Sequence, residues 1–453
     1  MKYLKEYNTV EEYIEDVSSN PVSYPTLTRI ASDSNWGKRM FYRKVMTNDS
    51  NPEAMSIARS AGWVGQNDTY MTMEQALAVT DESFNNANVV TEDSSAPNGY
   101  ATTFANLKHF DEFQYFANVK NLTWTRVSQD PFEIHGGFFN ATKLKNVKIP
   151  PAMFIMGQNC FAYCASLEAI EIPASVKQLT VQAFMYCNKL KDVKLNEGLN
   201  VIQDSVFYHT EIGKEKGVMV LPTTLTYVGD QAFCGGWYNR YADLNLPKLM
   251  LWGVENFINQ CGPQRFTIGD KLQTIGGGPD YTGNYNDCFW RTLEFITIDE
   301  NCPNFKTVNN IVYSKDGTIC YGGADYGLSK QRVVKIADGC TKIIAGALRD
   351  LADRERDPYI LEGCPWYDPD DEINEYVVIP ASVTYVGNRV MQYTKSNIVF
   401  LGSTPPTNAG SLYDAYNIYV PEEAVAAYKA VGGGWASGKI KAITSEVQTV
   451  INS

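Results

Sequence analysis

Phe138, Phe161 and Phe184 stand 23 residues apart in this chain, and the residues around them keep the same step. Leu144, Leu167 and Leu190 form a second column, followed by Val147, Ile170 and Val193, then by Ile149, Ile172 and Leu195. The segments CFAYCASLEAIEIP (160–173) and AFMYCNKLKDVKL (183–195) show two copies side by side. A fixed period with large apolar residues in fixed columns predicts a solenoid, in which each coil buries its neighbour's apolar face. Such a stack lengthens by adding coils, so 453 residues need not divide into separate globular cores. It also directs attention to surfaces rather than to a catalytic pocket.

Within each copy an alternating segment such as LEAIEI ends at a proline, at Ile149-Pro150, Ile172-Pro173, Leu221-Pro222, Leu246-Pro247 and Ile379-Pro380. Alternation suits one strand of a parallel stack, and proline ends it because it cannot donate to the ladder. Phrases like VKQLTVQAF, TYVGDQAF and TYVGNRVM predict a second short extended segment leading into the Phe turn. The expected fold is therefore a β-rich repeat solenoid of short, parallel, stacked strands over 101–401. A small α+β region (1–100) precedes it and a C-terminal capping unit (402–453) closes it.

The first hundred residues do not repeat. Thr9 to Glu12 form a capping box opening a helix to about Val17, Asn51-Pro52 opens another before EAMSIARSAG, and Thr72 to Gln75 form a second box. Residues 22–46 carry β-type segments, and 85–100 are polar and turn-rich. At the other end NIYVP reads as a last strand, Pro421 starts a helix, and Gly432 to Gly434 stop it.

Of the ten cysteines, four mark repeat slots: Cys164 and Cys187 lie three residues after the Phe column, and Cys160 and Cys288 just before a Phe. They are expected as buried free thiols rather than disulfides. The net charge of −12 repels phosphate backbones, so nucleic acid is not an expected partner. No 18-residue apolar run spans a membrane, and the first residues lack a signal peptide's apolar core. Either a signal was removed or export by that route never occurs; the second reading is favoured.

These motifs resemble the BspA type of leucine-rich-repeat proteins, common in Bacteroidales. The family's repeat is similar to a proline-ended strand followed by V-x-x-I-x-x-x-A-F-x-x-C-x-x-L-x-x-I, which 172–195 carry almost in full. Residues 304–320 resemble its V-x-Y-S-K-D-G-T hairpin, expected to turn at Asp316-Gly317; 404–443 resemble its C-terminal unit, and FDEFQYFANV (110–119) its lead-in. The resemblance implies a right-handed solenoid for adhesion to proteins, glycans or cells, and no catalytic residues. Members on cell surfaces carry export signals, which this chain does not show. EYNTVEEYIEDV and NPVSYPTLTRI are similar to openings of proteins from phages of gut Bacteroidales, whose particles assemble without a signal peptide.

Constellations for chemistry are sparse. His109, His135 and His209 lack metal spacing, and neither G-x-S-x-G nor Cys-x-x-Cys occurs. Gly433 to Lys439 nearly spell a phosphate loop, but Ile440 stands where the hydroxyl should be and a helix precedes it. Asp368, Asp370, Asp371 and Glu372 offer oxygen ligands for calcium without EF-hand spacing; acidic loops of this kind are mostly just solvated.

Three insertions stretch the period. Phe233 to Leu244 spans 11 residues where the parent repeat has 6, Ile275 to Phe289 spans 14 for 5, and Leu348 to Ile379 spans 31 for 11. They carry Trp237, Tyr238 and Tyr241, then Tyr281 and Tyr285, then Trp366 and Tyr367. Flat aromatic faces beside polar neighbours suit sugar rings or protein hot spots, and the alternative is that they fold back on the solenoid flank. The expected function is a non-enzymatic binding protein for a surface protein or glycan. It would sit on the surface of a phage or phage-tail-like particle, attached there by its N-terminal region. A secreted or cell-surface bacterial adhesin and a purely structural virion protein are the alternatives.

Overall fold

A computed structural model describes residues 81, 118–123, 132–134, 138, 140–149, 153–212, 220–234, 243–253, 263–280, 292–349, 351, 368–407, 412, 414–432, 435 and 437–453. The N-terminal helices and β-type segments expected before residue 81 lie outside these residues. The chain forms two compact units, 1–199 with 206–211, and 200–205 with 212–453. The described residues of both are built mainly of parallel-strand β-solenoid coils.

In the first unit Asn121–Thr123 pairs in parallel with Asn146–Lys148, which pairs with Ala169–Ile172, which pairs with Asp192–Leu195. The register sets Val147 beside Ile170 and Ile170 beside Val193, so the sequence columns are neighbours across the ladder. Alternation sends Ile170 and Ile172 inward and Glu171 outward, where its carboxylate meets Lys194 Nζ at 2.7 Å. A second set, Phe132–Ile134, Met153–Met156 and Gln178–Leu179, stacks in the same way. Asp81 seals the first edge: its carboxylate accepts from the main-chain N–H groups of Lys120 and Asn121 and from Asn121 Nδ2. Burial opposes its ionisation, but these hydrogen bonds prevail and hold the carboxyl below its ordinary range.

The third side of each coil is the Phe turn. Phe138, Phe161, Phe184 and Phe207 are fully buried and stack at centroid distances of 4.8, 5.3 and 5.4 Å with nearly parallel planes. The turn is wound through left-handed backbone two residues before and two after the ring, at Asn159 and Tyr163, then Gln182 and Tyr186, then Ser205 and His209. Left-handed backbone costs a non-glycine residue roughly 1–2 kcal/mol. The winding aims alternate N–H groups at the next coil: Phe161 donates to Ala183 O (2.7 Å) and Tyr163 to Met185 O (2.8 Å), and Phe184 and Tyr186 repeat the pattern on Val206 and Tyr208. Buried main-chain donors left without partners would cost more than the strain.

In the second unit Leu244–Leu246, Arg265–Ile268 and Phe295–Ile298 form one parallel ladder. Val201–Ile202, Tyr227–Val228, Leu251–Trp252 and Thr274–Ile275 form another. The glycine of TYVGNRVM has a steric reason, since a Cβ on Gly387 would lie 2.3 Å from Ala345 N. At Leu221-Pro222 both residues are buried and keep the apolar column, and the residues leading into them, 213–219, lie outside the described ones.

The hairpin segment contains two turns, not the single one expected. Asn309 and Asn310, both left-handed, join Phe305–Val308 to Ile311–Ser314 as a two-residue turn. Asp316-Gly317 then leads into the antiparallel partner Ile319–Gly323. Beyond it Val333–Lys335, Tyr376–Ile379, Asn397–Phe400, Ile418–Val420 and Ile440–Ala442 pair in parallel. NIYVP is thus followed by one further strand. Thr444 then caps the helix Ser445–Asn452, whose Val447 and Ile451 pack on Val378 and Val399.

Phe184→Ala, in the middle of the ring column, should cost about 3–5 kcal/mol and lower the urea midpoint accordingly. Asp316 gives a pH test. Its side chain accepts from Ser314 Oγ, Thr318 N and Thr318 Oγ1, which pulls its carboxyl down to about 2 from 3.8. The turn's added stability is present above 3.8 and fades as the pH falls to about 2. Amide exchange over 314–319 should accelerate across that window, and the change should be absent in Asp316→Asn.

Candidate functional site

The aromatic loop residues Trp237, Tyr238, Tyr241, Tyr281, Tyr285, Trp366 and Tyr367 all lie outside the described residues, as do His109 and His135. The described surface offers a different aromatic array. The left-handed position two residues after each buried Phe points its side chain outward, and in the first unit it holds Asn140, Tyr163, Tyr186 and His209. Tyr163 and Tyr186 stack at 5.1 Å, and Tyr186 and His209 at 5.0 Å with planes 9° apart. Tyr208 stands edge-on to both Tyr186 (5.7 Å) and His209 (4.4 Å). Tyr163 is 38 % exposed and the other three rings are half-buried.

This ladder is built by the fold. The Tyr186 main chain is pinned to the next coil through its N–H, so the ring cannot retreat without breaking that bond. Neighbouring coils hold the rings close to the interstrand spacing of about 4.8 Å. The result is a rigid stripe of ring edges, with hydroxyls at Tyr163, Tyr186 and Tyr208 and an imidazole at His209. Pre-ordered aromatic groups bind with little further loss of side-chain freedom. The signal was present in CFAYC and AFMYC, where Tyr follows Phe by two residues, but tyrosine at an inward-outward boundary does not announce a left-handed backbone.

The cysteines belong to the core. Cys164 Sγ donates to Phe138 O and Cys187 Sγ to Phe161 O, each at 3.1 Å, so each thiol ties one coil to the preceding one. Thr210 occupies the next slot of that column, also buried, and its hydroxyl donates to Phe207 O. All seven described cysteines are free and buried. Burial pushes the Cys187 and Cys320 thiols well up and Cys340 to about 11, which removes them as nucleophiles.

The acidic cluster does not converge. Asp368 Oδ1 accepts from Asp370 N, Asp371 Oδ2 accepts from Tyr326 OH and lies 3.4 Å from Lys330 Nζ, and Glu372 is buried. Among the described residues no three His, Cys, Asp or Glu side chains are arranged to hold a metal ion. Lys330, which also reaches Glu294 at 3.2 Å, supplies positive charge beside Asp371. Of the near phosphate loop, Trp435 is buried and Lys439 Nζ donates to Ala415 O at 2.7 Å. No described helix is long and apolar enough to cross a membrane.

The repeat geometry agrees with a family model. Residues 112–237 match the BspA type leucine rich repeat region in six copies. This stretch is a BspA-type leucine-rich-repeat region. No curated protein matches the sequence significantly. Among solved structures, the chain is similar to the pneumococcal vaccine antigen PcpA (14 % identity, 73 % of this chain and 89 % of that one, TM-score 0.41). It is also similar to a leucine rich cell surface protein from Faecalibacterium prausnitzii (17 %, 75 % and 84 %, 0.42). A third is a leucine-rich repeat protein from Bacteroides ovatus (14 %, 74 % and 87 %, 0.25). Stacked repeats of this kind form extended binding surfaces, and the ladder lies on the BspA-type repeats themselves.

Substitutions at Tyr186 test the backbone assignment. Asn, which occupies the same column at position 140, should leave stability within about 1 kcal/mol, whereas the β-branched Val should cost about 1–2 kcal/mol more. Thermal melts of the two variants measure the difference. Alkylation of the native protein near pH 8 should spare Cys187, Cys320 and Cys340, and peptide mapping after denaturation should find them intact.

Proposed function

We propose that this protein is a non-enzymatic binding protein whose repeat surface attaches to a protein or glycan on a bacterial or host surface. The observation that carries this reading is the ladder of Tyr163, Tyr186 and His209, three stacked rings held outward by strained backbone. Strain in a repeated surface turn could be relieved by Gly or Asn, yet two of these positions keep Tyr. Tyrosine is enriched where binding energy concentrates, because it offers a large flat face and a polar tip at low entropic cost. The non-enzymatic reading is further supported by the thiols of Cys187, Cys320 and Cys340, whose ionisation burial suppresses.

The inserted aromatics Trp237, Tyr238, Tyr241, Tyr281, Tyr285, Trp366 and Tyr367 are proposed as a second contact region, on their composition alone. We assign residues 1–100 to attachment, 101–401 to the repeat surface and 402–453 to the cap. The carrier we favour is a phage or phage-tail-like particle, on the similarity of the N-terminal phrases to phage proteins. A secreted or surface-bound adhesin is the competing carrier.

A double variant, Tyr163→Asn with Tyr186→Asn, should retain its melting temperature and lose about tenfold or more in adhesion to bacterial cells, measured by flow cytometry with the labelled protein. Unchanged adhesion would remove the ladder from the reading; an equal loss on Trp237→Ala with Tyr238→Ala alone would move the site to the insertions. Mass spectrometry of purified particles against secreted fractions decides the carrier.

A further inference from the structure

The hairpin insertion interrupts the outer ladder of the second unit and leaves two strand edges facing the gap. One is sealed. Along Phe295–Ile298 the Ile298 N–H donates to Thr307 Oγ1 (2.9 Å), the Ile296 N–H to Asn310 Oδ1 (3.4 Å), and Glu294 O accepts from Asn310 Nδ2 (3.0 Å). Side chains of the hairpin thus stand in for a missing strand.

The other edge, Val333–Lys335, is open. It pairs in parallel with Tyr376–Ile379 on one side only. Tyr376 N donates to Arg332 O and Ile336 N donates to Val378 O, so the even-numbered residues of this segment point their main-chain groups at that partner. By the two-residue period of a strand, the N–H and C=O groups of Val333 and Lys335 point the other way. Among the described residues they have no hydrogen-bond partner there. Beside them lies a groove of about 400 Å³, walled by Asn309, Ile311, Gln331 and the strand itself, with Ser453 at its rim. That volume lies within the range of about 300–1,000 Å³ typical of ligand clefts.

We propose that this edge is a peptide-docking site, which takes an extended acidic segment of a partner protein as an added β-strand. Val333 and Lys335 offer two N–H donors and two carbonyl acceptors in strand spacing, matching a backbone in extended conformation. In a parallel pair side chains stand in register, so the residue opposite Val334, which is buried, faces inward toward Ile311 and should be aliphatic. The next residue lies beside Lys335, which is exposed and has no ion-pair partner among the described residues, and should be Asp or Glu. Arg332, at the other end, is already paired with Glu375 at 3.0 Å, so Lys335 is the cation left to meet the peptide. This site is separate from the tyrosine ladder and does not depend on it.

The probe is fluorescein-labelled acetyl-Thr-Val-Glu-Val-Glu-amide, titrated against the full chain by fluorescence anisotropy. Saturable binding is expected, weakened about tenfold or more by Lys335→Glu and by N-methylation of alternate peptide bonds, which removes the strand's donors. Val333→Pro removes one docking N–H without touching the bonds to the neighbouring strand and should abolish binding. If that variant fails to fold, Lys335→Glu and the methylated peptide still decide. No saturation up to about 1 mM, or equal binding of the methylated peptide, would overturn the proposal. So would a concentration-dependent dimer that Lys335→Glu dissolves, since a second copy would then occupy the edge.

Discussion

Hydrogen bonds from one coil to the next at the Phe turn are the constraint on which the rest of the first unit depends. Two sides of each coil are ordinary parallel ladders. The third has to turn back within a few residues while burying a large ring. Left-handed residues on either side of that ring allow it, because they point the Phe161 and Tyr163 N–H groups along the stack axis toward Ala183 and Met185. The ring column, the thiol column and the outward tyrosines all follow from that winding. Cys164 sits where its Sγ reaches Phe138 O, and Tyr163 sits where its ring can only face out.

The sequence made the periodic parts legible because they are repeated. Columns at 23-residue spacing gave the inward faces of Ile170, Ile172 and Val193, and placed the cysteines in the core. Asp316-Gly317 was readable as a turn because its glycine takes a positive φ of 85°. What escaped was local geometry that the stack imposes against intrinsic preference. Nothing in tyrosine's own propensity suggests left-handed backbone, so the ladder was visible as letters but not as a surface. Asn309-Asn310 escaped because a stronger turn signal, Asp316-Gly317, lies seven residues on. The final strand, Ile440–Ala442, escaped because it follows a glycine-rich stretch that looks like an ending.

The second unit shows how a stack tolerates interruption. An antiparallel hairpin replaces one outer strand and seals the edge on one side with Asn310 and Thr307. The same insertion leaves Val333 and Lys335 without partners on the other side. At the far end, Val447 and Ile451 cover an outward face that is apolar at Val378 and Val399, where the first unit's outer face carries Glu171 and Lys194. The outer sheets are therefore variable surfaces: charged in one place, capped by a helix in another, open in a third.

The column shared by Asn140, Tyr163, Tyr186 and His209 has a consequence for how such a chain can change over generations. Its members differ in chemistry while their backbone stays the same, so the side chain there is uncoupled from the core. Unequal recombination that removed or duplicated one 23-residue unit would shorten or extend the stripe by a single rung and leave every other rung in register. The gene can thus adjust the reach of its contact surface and its composition as two independent variables, one by copy number and the other by point substitution.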